Sequence, residues 1–220
     1  MSKPLIIAID GPSGAGKGTI ARTLADALQY RHVDTGAMYR AVAWKALHDG
    51  VPLDDEPEVA GVAERSTIAV EGVRVSIDGY DVTQPIRTPE IDKAASTVAR
   101  MPRVREVLVG RQRRMADHGG IVMEGRDIGT VVFPNADVKI YLDASAEERA
   151  RRRMSDPAHT GGQAGHAAVA ASIEARDRSD TTRTASPLTM AADAVLIDTT
   201  GTPIPAVVEK VMALVRSRLD

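Results

Sequence analysis

Two glycines and a lysine near the N-terminus have the spacing of a phosphate-binding loop. The stretch Gly11-Pro-Ser-Gly-Ala-Gly-Lys-Gly-Thr19 contains the pattern Gly-x-x-x-x-Gly-Lys. In such a loop the backbone N–H groups converge on an anion, the next helix contributes the positive end of its dipole, and the lysine reaches the outer phosphates. The pattern therefore predicts a nucleoside triphosphate site with Lys17 as its catalytic cation. The predicted ATP-binding residues of the loop are Gly11, Pro12, Ser13, Gly14, Ala15, Gly16, Lys17, Gly18 and Thr19.

The residue after the lysine departs from the common form of this loop. Serine or threonine usually follows the lysine, and its hydroxyl ligates Mg²⁺. Here Gly18 follows Lys17, and Thr19 comes next. Two alternatives are open: either Thr19 supplies the hydroxyl, or the Mg²⁺ that accompanies ATP is held mostly through water and phosphate oxygens. The five histidines lack ligand spacing, so we expect no protein-held metal site.

A second anion site is indicated by the stretch Asp34-Thr-Gly-Ala-Met-Tyr-Arg40, which follows a short strand candidate and opens a helix. Thr35 is the expected N-cap of this helix, and Arg40 falls within its first two turns. One interpretation is an ordinary capped helix with a surface arginine. The other is a helix whose N-terminus and Arg40 receive a second phosphate-bearing ligand.

The elements around these residues predict an α/β fold. An apolar run over residues 4–9 predicts a buried strand before the loop, and the periodicity of residues 20–28 predicts a helix after it. Further strand candidates over residues 121–123, 138–142 and 194–197 alternate with helical patterns. This alternation is typical of a parallel sheet covered by helices on both faces.

A different pattern interrupts this alternation over residues 67–82. Apolar and polar residues alternate there with a period of two, and the runs are separated by Glu71-Gly72 and Asp78-Gly79. Asp-Gly between alternating runs is a strong hairpin signal. We therefore expect a small antiparallel sheet as an insert, followed by a helix capped by Thr88 with Pro89 at its first position.

The composition of the chain argues against several classes of function. The chain has 220 residues, a net charge of −2 and no cysteine, which suits one domain without disulfides or thiolate chemistry. A slightly acidic chain has no general attraction to nucleic acid, so no nucleic-acid partner is expected. The N-terminal residues show no signal-peptide pattern, and no apolar run reaches membrane-spanning length. We expect a monomeric, cytoplasmic protein without a membrane partner.

Several stretches, in order and almost from end to end, resemble the bacterial cytidylate kinases. The most specific of these stretches is Gly125-Arg-Asp-Ile-Gly-Thr-Val-Val-Phe-Pro134. The glycine-rich loop and the β-rich insert after the second helix resemble the same family. Two departures are Thr35, where that family more often has serine, and Glu124, where the shorter aspartate is common. The other matching stretches are residues 34–40, 102–105, 139–149, 176–183 and 187–188.

This resemblance implies the fold and the reaction. It implies a single P-loop kinase domain over residues 1–220, with a β-rich monophosphate-binding subdomain at about 35–100 and a short lid at about 155–166. It also implies ATP·Mg²⁺-dependent γ-phosphoryl transfer to CMP or dCMP, which gives ADP with CDP or dCDP. Phosphoryl transfer requires positioning and charge neutralisation, which arginines supply.

The resemblance also implies roles for individual residues. Ser96, Arg105 and Asp127 match positions that recognise cytosine, and Asp180 matches a position at the pentose. The position of Thr35 belongs to the same CMP site. The matching arginines near the acceptor phosphate or the transferring group are Arg40, Arg126, Arg176 and Arg183, of which Arg126 and Arg183 join Lys17 as catalytic residues.

The arginine run 151–153 allows two interpretations. Glu147 and Glu148 lie one helical turn earlier, so these charges suit a solvated face stabilised by i,i+4 pairs. The run also precedes the expected lid, where Arg149 or Arg153 would reach the ATP phosphates, and we take Arg153 as an ATP-binding candidate. Two rival functions are a P-loop kinase for another acceptor, such as UMP, AMP or shikimate, and a non-catalytic ATP-binding sensor.

Overall fold

Strands alternate with helices along most of the computed structural model, which describes residues 4–156 and 165–219. The predicted lid, residues 155–166, falls largely on residues 157–164, outside the described residues. In chain order the elements are β1 (Ile6–Asp10), α1 (Lys17–Leu28), β2 (Arg31–Asp34), α2 (Thr35–His48), α3 (Glu56–Arg65), β3 (Ile68–Glu71), β4 (Arg74–Ile77), β5 (Tyr80–Asp81), a 3₁₀ turn (Pro85–Arg87), α4 (Pro89–Val98), α5 (Pro102–Arg114), β6 (Ile121–Gly125), a π-helical turn (Ile128–Val132), β7 (Val138–Asp143), α6 (Ala146–Met154), α7 (His166–Thr182), β8 (Val195–Asp198) and α8 (Ile204–Arg216).

The central sheet has five parallel strands in the order β2-β6-β1-β7-β8. Its middle strands are buried on both faces, as expected where crossover helices cover a parallel sheet. Alternate residues of β1 enter different cores: Ala8 packs with α2 to α5, whereas Ile7 and Ile9 pack with α1 and α8. The predicted α/β fold, with helices on both faces, is therefore confirmed.

The predicted small antiparallel sheet is also present, with strand order β3-β4-β5. Asp78 and Gly79 form its tight turn with φ values of 50° and 82°, the left-handed region that such a two-residue turn requires. The sheet packs on α2 through Val75 and Ile77, which are almost completely buried. Thr88 caps α4 as predicted, since its hydroxyl accepts a hydrogen bond from the N–H of Ile91 at 3.3 Å.

Two local predictions need correction. The N-cap of α2 is Asp34 and not Thr35, because the Asp34 carboxylate accepts a hydrogen bond from the N–H of Ala37 at 3.1 Å and Thr35 is already helical. Helix α3 was not predicted at all, although its N-cap Asp55 and the proline that follows are recognisable start signals. The short length of α3 and its position before the period-two region hid its apolar face.

Candidate active site

A cavity of about 950 Å³ follows the carboxyl edge of the central sheet. At this edge β2 and β6 end side by side, with Asp34 paired to Glu124, and Asp10 of β1 is paired to Gly125. Ligands of open α/β sheets bind outside the carboxyl ends of the strands. The fold therefore places the glycine-rich loop and the second predicted anion site at one common cavity.

The glycine-rich loop connects β1 to α1 in a conformation that only glycine allows at its start. Gly11 has φ of +147°, and a Cβ atom there would lie 2.0 Å from the carbonyl oxygen of Leu142. Gly16 is the N-cap of α1, and within the described part of the chain no side chain caps the N–H groups at the start of that helix. Unoccupied N–H groups at a helix N-terminus form an anion site.

Lys17 is buried in the floor of the cavity. Its ammonium group donates a hydrogen bond to the carbonyl oxygen of Pro12 at 2.7 Å. Burial lowers the pKa of Lys17 to about 7, the nearby Arg126 guanidinium adds to the decrease, and Glu124 opposes it. A phosphate placed beside this group would stabilise its charged form.

Glu124 lies against the glycine that follows the lysine. A Cβ atom on Gly18 would lie 3.2 Å from Oε1 of Glu124, so the longer carboxylate lies against the loop at this point. The same oxygen is hydrogen-bonded to Nε2 of His32 at 2.9 Å, and both side chains are buried. No local sequence pattern connects these two residues, because they are 92 positions apart.

The oxygen atoms beside the loop suit Mg²⁺, which prefers hard oxygen ligands and retains several waters. Glu124 and Thr19, which carry a carboxylate and a hydroxyl, both line the cavity. Within residues 4–156 and 165–219, no three His, Cys, Asp or Glu side chains form a group that could hold a metal ion by themselves. These residues therefore fit a metal ion that arrives with phosphate ligands of its own.

Helix α6 packs over the loop through two arginines. Arg149 donates to the carbonyl oxygen of Ser13 at 3.0 Å and also pairs with Asp177 of α7. Arg152 donates to the carbonyl oxygen of Ala15 at 3.4 Å. Arg152 of the arginine run therefore also holds the loop backbone. Of the two predicted i,i+4 pairs, Glu148–Arg152 is present, whereas Arg151 pairs with Glu148 at i,i+3 and not with Glu147.

The cavity is also lined by a buried ion pair between Arg105 and Asp127. Arg183 also approaches this carboxylate, with Nη2 3.7 Å from Oδ1. The Arg105 guanidinium lies over the ring of Tyr39 at 5.4 Å from its centroid, a favourable cation–π arrangement. Asp127 is thus held by two arginines at the cavity wall, as a fixed acceptor.

Asp10 positions the segment that carries Asp127. Its two carboxylate oxygens accept hydrogen bonds from the N–H groups of Ile128 and Gly129, at 2.8 and 2.7 Å. The π-helical turn Ile128–Val132 begins at the same place. Burial raises the pKa of Asp10 to about 6 even though both donors oppose the shift.

Arg126 and Asp180 form a second ion pair in the same wall. Nε of Arg126 lies 2.7 Å from Oδ2 of Asp180, and Nη1 of Arg183 is 4.0 Å from the other carboxylate oxygen. Burial alone would raise the pKa of Asp180, but Arg126 and Arg176 outweigh it and lower the pKa. The carboxylate therefore stays ionised among arginines.

The N-terminus of α2 also lines the cavity. Asp34 accepts a hydrogen bond from Arg40 at 2.7 Å. Burial works to raise the pKa of Asp34, yet Arg40 and Arg87 together lower it to about 2. The Thr35 hydroxyl donates to the carbonyl oxygen of Glu124 at 2.7 Å. Arg87, which the sequence analysis did not single out, also lines the cavity.

Asp92 of α4 is a further residue that the sequence analysis missed. It forms ion pairs with Arg153, with Arg176 and, at 4.0 Å, with Arg40. Its partners lie 52 to 84 positions away, so no local pattern could reveal them. Ser96, one turn later on α4, donates its hydroxyl to the Asp92 carbonyl oxygen at 3.0 Å.

The structure brings nearly all predicted site residues to one cavity. Gly11 and Pro12 do not line it but form the buried start of the loop. The predicted residues that line the cavity are Ser13, Gly14, Ala15, Gly16, Lys17, Gly18, Thr19, Thr35, Arg40, Ser96, Arg105, Arg126, Asp127, Arg153, Arg176, Asp180 and Arg183.

Comparisons with known proteins agree with this geometry. A family model described as cytidylate kinase matches residues 7–217. The cytidylate kinase of Desulfitobacterium hafniense (strain Y51) is 49% identical over 223 residues, which cover 100% of this chain and 96% of that protein. The cytidylate kinase of Pelotomaculum thermopropionicum is 51% identical over 214 residues, with 95% of each chain covered.

Solved structures show a shared fold at low sequence identity. A gluconokinase from Sinorhizobium meliloti superposes with a TM-score of 0.53 at 14% identity, over 99% of this chain and 95% of its own. Protein TT1252 from Thermus thermophilus has a TM-score of 0.50 at 19% identity, over 99% and 98% of the chains. In the described part of this chain, none of the helices combines the length and apolar character needed to span a membrane.

Proposed function

The chain belongs to the cytidylate kinase family, and on that premise we propose that it transfers the γ-phosphoryl group of ATP to CMP and dCMP. One observation carries this proposal: the glycine-rich loop and the buried Arg105–Asp127 pair line the same cavity. Direct transfer between two nucleotides requires the triphosphate of the donor and the phosphate of the acceptor to lie in one enclosed site. The cavity of about 950 Å³ suits that requirement.

We assign the ATP phosphates to the glycine-rich loop. The N–H groups at the start of α1 would bind phosphate oxygens, and Lys17 would exchange its contact with the Pro12 carbonyl for the outer phosphates. Arg153, which lines the cavity from the end of α6, would add a cation on the same side. Mg²⁺ would be held by the phosphates and water beside Glu124 and Thr19, and when bound it neutralises phosphate charge.

We assign the cytosine base to Asp127, Arg105 and Ser96. The exocyclic amino group of cytosine donates a hydrogen bond, which a carboxylate accepts. Uracil has a carbonyl oxygen in that place, so the buried Asp127 would face another acceptor, at a cost of about 1–3 kcal/mol. The Arg105 contact keeps Asp127 in position. We place Asp180 at the pentose, since it lies beside Arg126 and Arg183 in the same wall.

The remaining arginines would carry the acceptor phosphate and the transferring group. An ionised oxygen of the CMP phosphate attacks the γ-phosphorus, the bond from that phosphorus to the bridging oxygen breaks, and ADP leaves with both bonding electrons. No protein nucleophile is needed. The negative charge on the oxygens of the transferring phosphoryl group would be neutralised by Arg40, Arg126, Arg176 and Arg183. Among the described residues, Nε of Arg40 and Nη2 of Arg183 are buried donors without a hydrogen bond.

The proposal is tested by a coupled ADP-release assay with ATP·Mg²⁺ and the acceptors CMP, dCMP, UMP, AMP, GMP and shikimate. We expect turnover largely confined to CMP and dCMP. Turnover with another acceptor would support phosphoryl transfer but contradict the proposed contacts to cytosine. ATP binding without acceptor-dependent ADP release would instead indicate a nucleotide sensor. Lys17→Ala should lower kcat by orders of magnitude while the protein stays folded.

We further propose that residues of about 35–100 act as the CMP-binding subdomain. The small sheet β3-β4-β5 supports this, since it packs on α2, and Val70 of β3 and Val73 of the turn after it line the cavity. A lid over residues 155–166 and a monomeric, cytoplasmic enzyme remain predictions. Sedimentation of the protein with and without nucleotides would test the monomer.

A further inference from the structure

Three arginines that line the cavity converge on one carboxylate. Nη1 of Arg176 lies 3.4 Å from Oδ1 of Asp92, Nη1 of Arg40 lies 4.0 Å from the same oxygen, and Nη2 of Arg153 is hydrogen-bonded to Oδ2. The arginines come from α7, α2 and α6, whereas Asp92 belongs to α4. One side chain of α4 therefore contacts arginines of three other helices.

The carboxylate lies behind the arginines and not in the cavity wall. Arg40, Arg153 and Arg176 line the cavity, but Asp92 does not, and only 9% of its surface is exposed. A guanidinium group carries five N–H donors, so one contact with Asp92 leaves donors of each arginine for a ligand. Three guanidinium groups share this carboxylate, and Arg40 also pairs with Asp34 at 2.7 Å.

The arginines need this counter-charge to remain close together. Burial lowers the pKa of Arg153 and of Arg176, and in both cases Asp92 is the strongest influence in the opposite direction. Like charges a few ångströms apart in a partly buried site repel strongly. Without the carboxylate, the three side chains would separate, or their guanidinium groups would turn towards other acceptors.

We propose that Asp92 is a positioning residue for phosphoryl transfer, which holds Arg40, Arg153 and Arg176 in the arrangement that the transferring group requires. This inference rests on the proposed kinase function. Asp92 would not touch either nucleotide. It would act by fixing arginines of the acceptor side and of the ATP side relative to each other, through a helix that also carries the predicted base-reading Ser96.

The first test is Asp92→Asn, which keeps the shape of the side chain and removes its charge. We expect kcat/KM for CMP to fall about ten- to hundredfold, mainly through kcat, because misplaced groups lose transition-state contacts. Asp92→Glu should recover part of the loss. The matched control is Glu90→Gln, which removes the same charge from an exposed position in the first turn of α4 and should leave kinetics unchanged.

A double-mutant cycle separates positioning from a merely structural role. If Asp92 acts through Arg176, then adding Asp92→Asn to Arg176→Met should cost much less activity than adding it to the wild-type chain. Multiplied losses, or wild-type kinetics in Asp92→Asn, would overturn the inference. Wild-type turnover of CMP in the same assay tests the kinase function separately, because that result does not depend on any Asp92 variant.

Discussion

At the scale of single residues, the buried lysine of the loop links nucleotide binding to pH. The pKa of Lys17 is lowered to about 7 in the protein, against 10.5 for an unburied lysine. Since the native pKa is the lower of the two, the unfolded chain holds a proton at Lys17 between about pH 7 and 10.5, and the native protein does not. Lys17 therefore makes the unliganded protein more stable as pH rises through this window.

Binding of a triphosphate should raise the pKa of Lys17 again, so that the protein takes up a proton when the nucleotide binds. At pH 8 only roughly one-tenth of Lys17 is charged in the free protein, and adjacent phosphates favour the ammonium form. We expect uptake approaching one proton per ATP at pH 8 and little uptake below about pH 6. Titration calorimetry in buffers of different ionisation enthalpy measures this. Equal uptake by Lys17→Met would contradict the assignment.

Asp127 provides a second prediction at this scale, on base selectivity. Asp127→Ala should reduce the CMP:UMP ratio of kcat/KM by about tenfold or more, because the acceptor for the amino group is lost. Binding of ATP in the absence of an acceptor should change little, since Asp127 is not part of the loop to which we assign the ATP phosphates. Steady-state kinetics with both acceptors would measure the ratio. An unchanged ratio would show that Asp127 does not read the base.

At the scale of elements, the connection after β6 depends on a residue of another strand. Asp10 at the end of β1 accepts hydrogen bonds from the first two N–H groups of the π-helical turn, 118 and 119 positions away. We expect Asp10→Ala to reduce the free energy of unfolding by about 2–4 kcal/mol, because two buried N–H groups lose their acceptor. The KM for CMP should also rise, since the turn carries Asp127.

Urea denaturation and kinetics of the same variant would measure both effects. Asp143→Ala is a suitable control, because Asp143 ends the neighbouring strand β7, and among the described residues its carboxylate accepts a hydrogen bond only from the adjacent N–H of Ala144, at 2.8 Å. A loss of stability in Asp10→Ala without a change in KM would mean that the turn does not position the acceptor.

The elements also show how far the sequence predicts this molecule. The loop, the Asp-Gly hairpin and the Thr88 cap depend on contacts within a few residues, and each was predicted correctly. The π-helical turn, the His32–Glu124 pair and the role of Asp92 depend on contacts between distant segments. A single sequence shows such residues without showing their partners. The resemblance to a family supplied the Arg105 and Asp127 assignments, and the structure brought these residues together.

At the scale of the whole molecule, one cavity holds both predicted nucleotide sites. A compound with adenosine and cytidine joined by five phosphates should therefore bind both sites at once. We expect its affinity to exceed that of ATP or CMP by about 10²–10⁴-fold, because the second contact becomes intramolecular. Calorimetry would measure this, with a two-phosphate analogue as the control that is too short to span the sites. Affinity no better than that of ATP would contradict a shared cavity.

Trp44 is the single tryptophan of the chain, and its position gives it a further use. It stacks on His48 of the same helix at 4.7 Å between ring centroids, and it lies 5.8 Å from the Tyr80 ring of the small sheet. Indole emission responds to the polarity and motion of its surroundings. The protein thus carries a built-in optical reporter at the junction between α2 and the insert, which can follow that junction in solution without any added dye.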